Sequence, residues 1–199
     1  MDKIRIQGKA DLRGLINIPG SKNAALPILV ASLLNKENLL IKNIPDLQDV
    51  KSMIKLLESF GVNISKNKND LILNASKIKN NIADYDLVRK MRASILVLGP
   101  LLARFKEATI SLPGGCAIGT RPIDIHLDSL SKLGVNFQID NGYVRGLVKD
   151  ELKGAIINLP FPSVGATENI IMAASLAKGI TLINNAAKEP EIIDLVKAL

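Results

Sequence analysis

Cys116 is the only cysteine in the 199 residues, and it stands in an unusual run, Pro113-Gly114-Gly115-Cys116-Ala117-Ile118-Gly119-Thr120-Arg121-Pro122. Closely spaced glycines open the backbone N–H groups of such a loop to an anion. Arg121 and a helix start follow, and positive charge with a helix dipole lowers a thiol pKa, so the spacing suits a reactive sulfur. The plainer alternative is a small apolar loop residue, buried and inert. A second helix start, Gly20-Ser21-Lys22-Asn23-Ala24-Ala25, offers Ser21 or Asn23 as N-cap and sets Lys22 beside open N–H groups, as a phosphate would require. It lacks the glycine spacing of a nucleotide-hydrolase loop, and by itself it reads better as a capped helix with a surface lysine. Arg89, Lys90 and Arg92 open a third helix with an apolar stripe of Val88, Met91, Ile95, Leu98 and Leu102. Arg89 and Arg92 are three apart, on one face off that stripe, where solvated charge is the ordinary reading. A fourth start, Ser163-Val164-Gly165-Ala166-Thr167-Glu168, has Ser163 or Thr167 as cap and Gly165 to admit a close ligand. His126 has no second histidine and is expected to pack or cap rather than bind a metal. No GxGxxG, CxxC or Ser-His-Asp pattern occurs, and no cofactor is expected.

The elements that must position these residues repeat. An apolar helix pattern, a short break and a β-rich strand recur at Leu26 to Ile41, Ile95 to Ile110 and Ile170 to Ile183. Each is followed by a Pro and an acid at a new helix start, at Pro45-Asp46, Pro122-Ile123-Asp124 and Pro190-Glu191. That placement suits a first turn that lacks N–H acceptors and favours negative charge. The first two of these helices stop at Gly61 and Gly134, 73 residues apart. The third reaches Leu199 without such a stop, so the expected fold is α/β: two complete units and most of a third, truncated there. Uniformly apolar helices should lie inside and alternating strands outside. Residues 1–21 form a separate N-terminal stretch of expected strands, and 22–199 the repeated lobe. With all units in one orientation, the starts carrying Lys22, Arg92, Cys116/Arg121 and Gly165 would converge into an anion-binding mouth.

Composition narrows the partners. A 47% hydrophobic content excludes disorder, and one cysteine excludes a disulfide framework and points to a reducing compartment. The longest apolar runs fall well short of the roughly 20 residues a bilayer demands. No signal peptide is visible, so a cytoplasmic protein and no membrane partner are expected. The net charge is +7, but the basic residues are scattered and only six aromatics are present, so a nucleic-acid partner is not expected.

The segments Gly20 to Pro27, Met91-Arg92-Ala93-Ser94, Leu112 to Asp124 and Ser163 to Thr167, followed by Ala186-Ala187-Lys188-Glu189-Pro190-Glu191, together resemble the UDP-N-acetylglucosamine 1-carboxyvinyltransferase (enolpyruvyl transferase) family over the whole chain. Members are about twice this length, with two lobes of three α/β units each. The resemblance implies transfer of the enolpyruvyl group of phosphoenolpyruvate to the 3′-hydroxyl of UDP-N-acetylglucosamine, by addition and elimination, with release of phosphate. It makes Cys116 the proton donor, the point of covalent phosphoenolpyruvate attachment and the target of fosfomycin. It puts Lys22, Asn23 and Arg121 on phosphoenolpyruvate. Arg92, with Arg121, Pro122, Ile123, Asp124, Ile125 and Ser163, Val164, Gly165, falls on the UDP-sugar. Leu96 stands where some members carry Trp and Phe161 where some place Lys. The family's first strand packs with a second lobe that also supplies a catalytic Asp and further arginines, and this C-terminal lobe is missing from the 199 residues. A non-catalytic half with at most weak substrate binding is therefore the alternative. The sister enzyme acting on shikimate 3-phosphate shares the Gly-Ser-Lys start but not the cysteine loop.

Overall fold

The computed structural model describes residues 3–9, 11–112 and 123–199. Helix α1 (Lys22–Ala31) is apolar nearly all round and continues through a 3-10 turn at Ser32–Leu34 into β1 (Asn38–Ile41). Helix α2 (Gln48–Phe60) follows, then the hairpin β2 (Asn63–Asn67) and β3 (Asp70–Asn74). Gly61 ends α2 in the left-handed region at φ 101°, which an L side chain adopts only with strain. The three strands pair antiparallel in the order β1-β3-β2, with Leu40 opposite Ile72. Period-two alternation puts Leu71 and Leu73 in the core and Ile72 outside.

The second unit repeats this plan with a lead-in. Strand β4 (Ile82–Ala83) and the single turn α3 (Tyr85–Val88) precede a 3-10 segment at Arg92–Val97, which runs into α4 (Leu98–Phe105). Strand β5 (Glu107–Ser111), helix α5 (Asp124–Lys132) and the hairpin β6 (Val135–Asp140) with β7 (Tyr143–Val148) complete it, in the sheet order β4-β5-β7-β6. The third unit has β8 (Ile156–Asn158), α6 (Val164–Ala174), β9 (Leu182–Asn184) and α7 (Pro190–Ala198), with β8 and β9 parallel. Among the described residues it has no hairpin matching β2-β3 or β6-β7.

Helices α1, α4 and α6 form the centre, with α1 against α2 and α7, and α6 against α4 and α5. Their buried side chains, including Leu29, Leu98, Leu101 and Ile170, fuse the three units into one apolar core. A polar clamp joins the first two units: the Arg104 guanidinium donates to the carbonyls of Leu33, Asn35 and Ala75 at 2.7–2.8 Å. The repeat, the inward helices and the outward alternating strands are as the sequence indicates.

One stretch stands apart from the sheets, and one expectation is corrected. Residues 3–9 and 11–19 contain no strand, and Ile4, Ile6, Leu12, Leu15, Ile16 and Ile18 are 79–91% exposed. An isolated strand pair is marginal in water, and this segment joins none of the three sheets. The helix expected to run from Val88 to Leu102 is broken, because Met91 is extended at φ −155°, ψ 124°. The buried Ser94 hydroxyl stabilises that break by donating to the Met91 carbonyl at 2.6 Å, with the Val88 carbonyl at 3.2 Å from the same oxygen.

Candidate functional site

Three helix starts and the 3-10 start meet around one cleft of about 1080 Å³. Lys22 and Asn23 reach it from α1 and Arg92 from the 3-10 segment. Ile125 and His126 come from α5, and Ser163, Val164 and Gly165 from the first turn of α6. Local chemistry places each of them. Gly20 donates its N–H to the Asn43 carbonyl at 3.1 Å, an approach so close that a side chain at residue 20 would strike that oxygen. It presses the start of α1 onto the end of β1. Ser21 then caps α1 by accepting from the Ala24 N–H, and Ser163 caps α6 by accepting from the Ala166 N–H.

The expected site residues that the structure describes line this cleft, apart from Ile123 and Asp124. Ile123 is buried at the N-cap of α5, and Asp124 lines a neighbouring cavity of about 630 Å³ that shares Ile125 and Phe161 with the cleft. Gly165 also lies against His126: a Cβ there would sit 3.3 Å from the histidine ring. Cys116, Arg121 and Pro122 lie outside the described residues. Leu112 and Ile123, which flank their segment, are in place at the end of β5 and the start of α5.

The cleft carries mixed charge. Lys22, Arg89, Lys90 and Arg92 line it together with Asp49, Glu168 and Glu191. Lys22 pairs with Asp49 at 2.9 Å, and Asn23 donates to a Glu191 carboxylate oxygen at 3.3 Å. Arg89 pairs with Asp86 at 3.1 Å and stacks over the Tyr85 ring, and the extended Met91 between them means that it shares no helix face with Arg92. The Lys22–Asp49 pair is partly exposed and so worth at most about 1 kcal/mol, weak enough for an anionic ligand to compete for the lysine.

Two buried titratable groups shape this balance. Glu168 is 5% exposed, and burial reinforced by Glu191 and Glu189 pushes its carboxyl up to about 8. It is mostly uncharged at neutral pH, which adds to the excess of cationic side chains in the cleft. His126 is 7% exposed, and burial with the nearby Arg92 charge lowers it to about 4. Its Nδ1 lies 3.2 Å from the Asn169 side-chain nitrogen. Sequence reasoning noticed Glu168 only as part of a helix start and missed Asn169 altogether. Among the described residues no group of three or more His, Cys, Asp or Glu could hold a metal ion, and no helix is long and apolar enough to cross a membrane.

Residues 6–199 match the family model described as EPSP synthase (3-phosphoshikimate 1-carboxyvinyltransferase). The chain belongs to this family. Within it, the chain is 54% identical over 200 residues to UDP-N-acetylglucosamine 1-carboxyvinyltransferase of Campylobacter fetus subsp. fetus, and 55% identical over 199 residues to that of Pelagibacter ubique. Each match covers 100% of this chain and 48% of the relative. The chain thus spans about half the length of the curated relatives it matches. Among solved structures, the enolpyruvyl transferase NikO from Streptomyces tendae superposes with a TM-score of 0.82 at 18% identity, over 94% of this chain and 44% of the other. An EPSP synthase from Acinetobacter baumannii gives 0.72 at 16% identity, over 90% and 42%. At such identities these two likenesses establish the fold, an enolpyruvyl transferase lobe.

Proposed function

We propose that this chain is part of an enzyme that transfers the enolpyruvyl group of phosphoenolpyruvate to the 3′-hydroxyl of UDP-N-acetylglucosamine, releasing phosphate in a step of peptidoglycan synthesis. The observation that carries the reading is the cleft itself. Capped helix starts and cationic side chains converge there, in a chain more than half identical to enzymes named for this transfer. Helix N-termini and cations stabilise negative charge developing on a departing phosphate. In this proposal Lys22, Asn23 and Arg121 hold phosphoenolpyruvate, and Cys116 donates the proton and forms the covalent adduct. Arg92, Arg121 to Ile125 and Ser163 to Gly165 hold the nucleotide sugar. Residues 1–21, of which 3–9 and 11–19 are exposed, pack against a further lobe that closes the cleft. A cytoplasmic setting accords with the single cysteine.

A second reading is favoured by the half-length match: the 199 residues alone bind substrate weakly and do not turn it over. Chemistry of this kind needs a closed, dry site, and a cleft with one wall does not exclude water. Phosphate release from phosphoenolpyruvate plus UDP-N-acetylglucosamine by the purified 199-residue chain tests it. No release above the enzyme-free rate is the expected outcome, and steady release dependent on both substrates would show the second reading to be wrong.

A further inference from the structure

Asn169 is fully buried on α6 and ties three elements together. Its Oδ1 accepts the Gly99 N–H at 2.7 Å, which only the oxygen of a carboxamide can do, so its orientation is settled. The amide nitrogen then faces two acceptors, the Ile95 carbonyl at 3.0 Å and the His126 Nδ1 at 3.2 Å. Both amide hydrogens are used, and Nδ1 has to be the bare, accepting nitrogen. The ring proton of a neutral His126 is therefore on Nε2, which lies 3.6 Å from the Cβ position of Gly165, on the cleft wall.

We propose that Asn169 is a positioning residue that fixes His126 as a neutral Nε2–H donor at the wall of the cleft, offered to an acceptor oxygen of the bound nucleotide sugar. The identity of that ligand rests on the functional reading above; the tautomer does not. A neutral donor adds a hydrogen bond beside Arg92 without adding repulsion between cations. Protonation would put a hydrogen on Nδ1 facing an amide N–H, which agrees with the low pKa of about 4. The charged groups on the elements around the ring are Arg92 on the 3-10 segment, Asp124, Asp128 and Lys132 on α5, Glu168 on α6, and Glu191, Asp194 and Lys197 on α7. Of these, Glu168 changes charge near neutrality, at about 8.

His126 is the only histidine, so its ring nitrogens can be read without assignment in long-range proton–nitrogen NMR of the 199-residue chain. The expected spectrum is a bare Nδ1 and a protonated Nε2 between about pH 5.5 and 8. UDP-N-acetylglucosamine should shift the Nε2–H resonance saturably. Asn169→Asp should transfer the ring proton to Nδ1, where a carboxylate accepts it, and weaken that saturation roughly tenfold, the size of one neutral hydrogen bond. A protonated Nδ1 in the unaltered chain, or a ring titrating near its ordinary pKa, overturns the proposal. So does an Asn169→Asp protein with the proton still on Nε2. If Asn169→Asp fails to fold, the unaltered chain alone decides. An Nε2–H ring with no response to the nucleotide sugar supports the positioning role and counts against the functional reading.

Discussion

Gly99→Val is expected to abolish stable folding, or to cost roughly 3–5 kcal/mol if the chain survives it. Gly99 lies in the first turn of α4, where that helix crosses α6. A Cβ at this position would sit 2.5 Å from the backbone oxygen of Asn169 and closer still to its Oδ1. Neither atom is the free end of a flexible chain. One is helix backbone, and the other is held by the Gly99 N–H itself. The helices would have to separate, which breaks that hydrogen bond and leaves buried polar groups without partners. Core methyl groups can be accommodated by rotamer changes, but a backbone overlap cannot. Urea denaturation followed by circular dichroism checks this, with Gly142→Ala as the comparison, since Gly142 has φ 79° but no atom within 4 Å of its Cβ position. The comparison variant should lose only about 1–2 kcal/mol, the cost of a left-handed L residue. Equal losses for the two would contradict the packing described.

Glu168→Gln is expected to stabilise the protein at neutral pH. The folded chain holds a carboxyl proton up to about pH 8, whereas in the unfolded chain it leaves near the ordinary value of 4.5. Between those values folding takes up a proton, so stability falls as pH rises. The neutral amide has no such dependence. At pH 7 the gain should be roughly 2–4 kcal/mol, or about 5–10 °C in Tm, and it should vanish near pH 4. Thermal melts of both proteins from pH 4 to 8 check this. A substituted protein that keeps the same pH slope would show that Glu168 is not the group responsible. The same substitution leaves the positive balance of the cleft at neutral pH nearly unchanged, because the wild-type side chain is already mostly protonated there.

Features set by near neighbours in the chain were legible before the fold. Ser21 and Ser163 cap the helices they precede, and Gly61 and Gly134 adopt φ 101° and 104° where the helix stops were read. The repeat of apolar helix and alternating strand gave the three units and the convergence of their helix starts. What escaped depends on contacts far apart in sequence. Asn169 meets His126 across 43 residues, Gly99 across 70 and Ile95 across 74. No periodicity marks such a residue, and a polar side chain in an apolar helix reads as an interruption until its partners are known. Arg89 and Arg92 seemed to share a face because spacing presumes an unbroken helix, and Ser94 supports a break between them. The alternation of Ile4, Ile6 and Leu15 to Ile18 signals strand propensity, but a strand needs a neighbour, and within these residues there is none.

The central claim is that the cleft where these helices begin recognises a nucleotide sugar. The most direct measurement is a backbone amide NMR titration of the 199-residue chain with UDP-N-acetylglucosamine, and in parallel with shikimate 3-phosphate. Saturable shifts at Ile125, Ser163, Val164 and Gly165 with the first ligand, none with the second, and none at the β6-β7 hairpin are the result this account requires. A response to shikimate 3-phosphate alone, or shifts confined to surfaces away from the cleft, would contradict it.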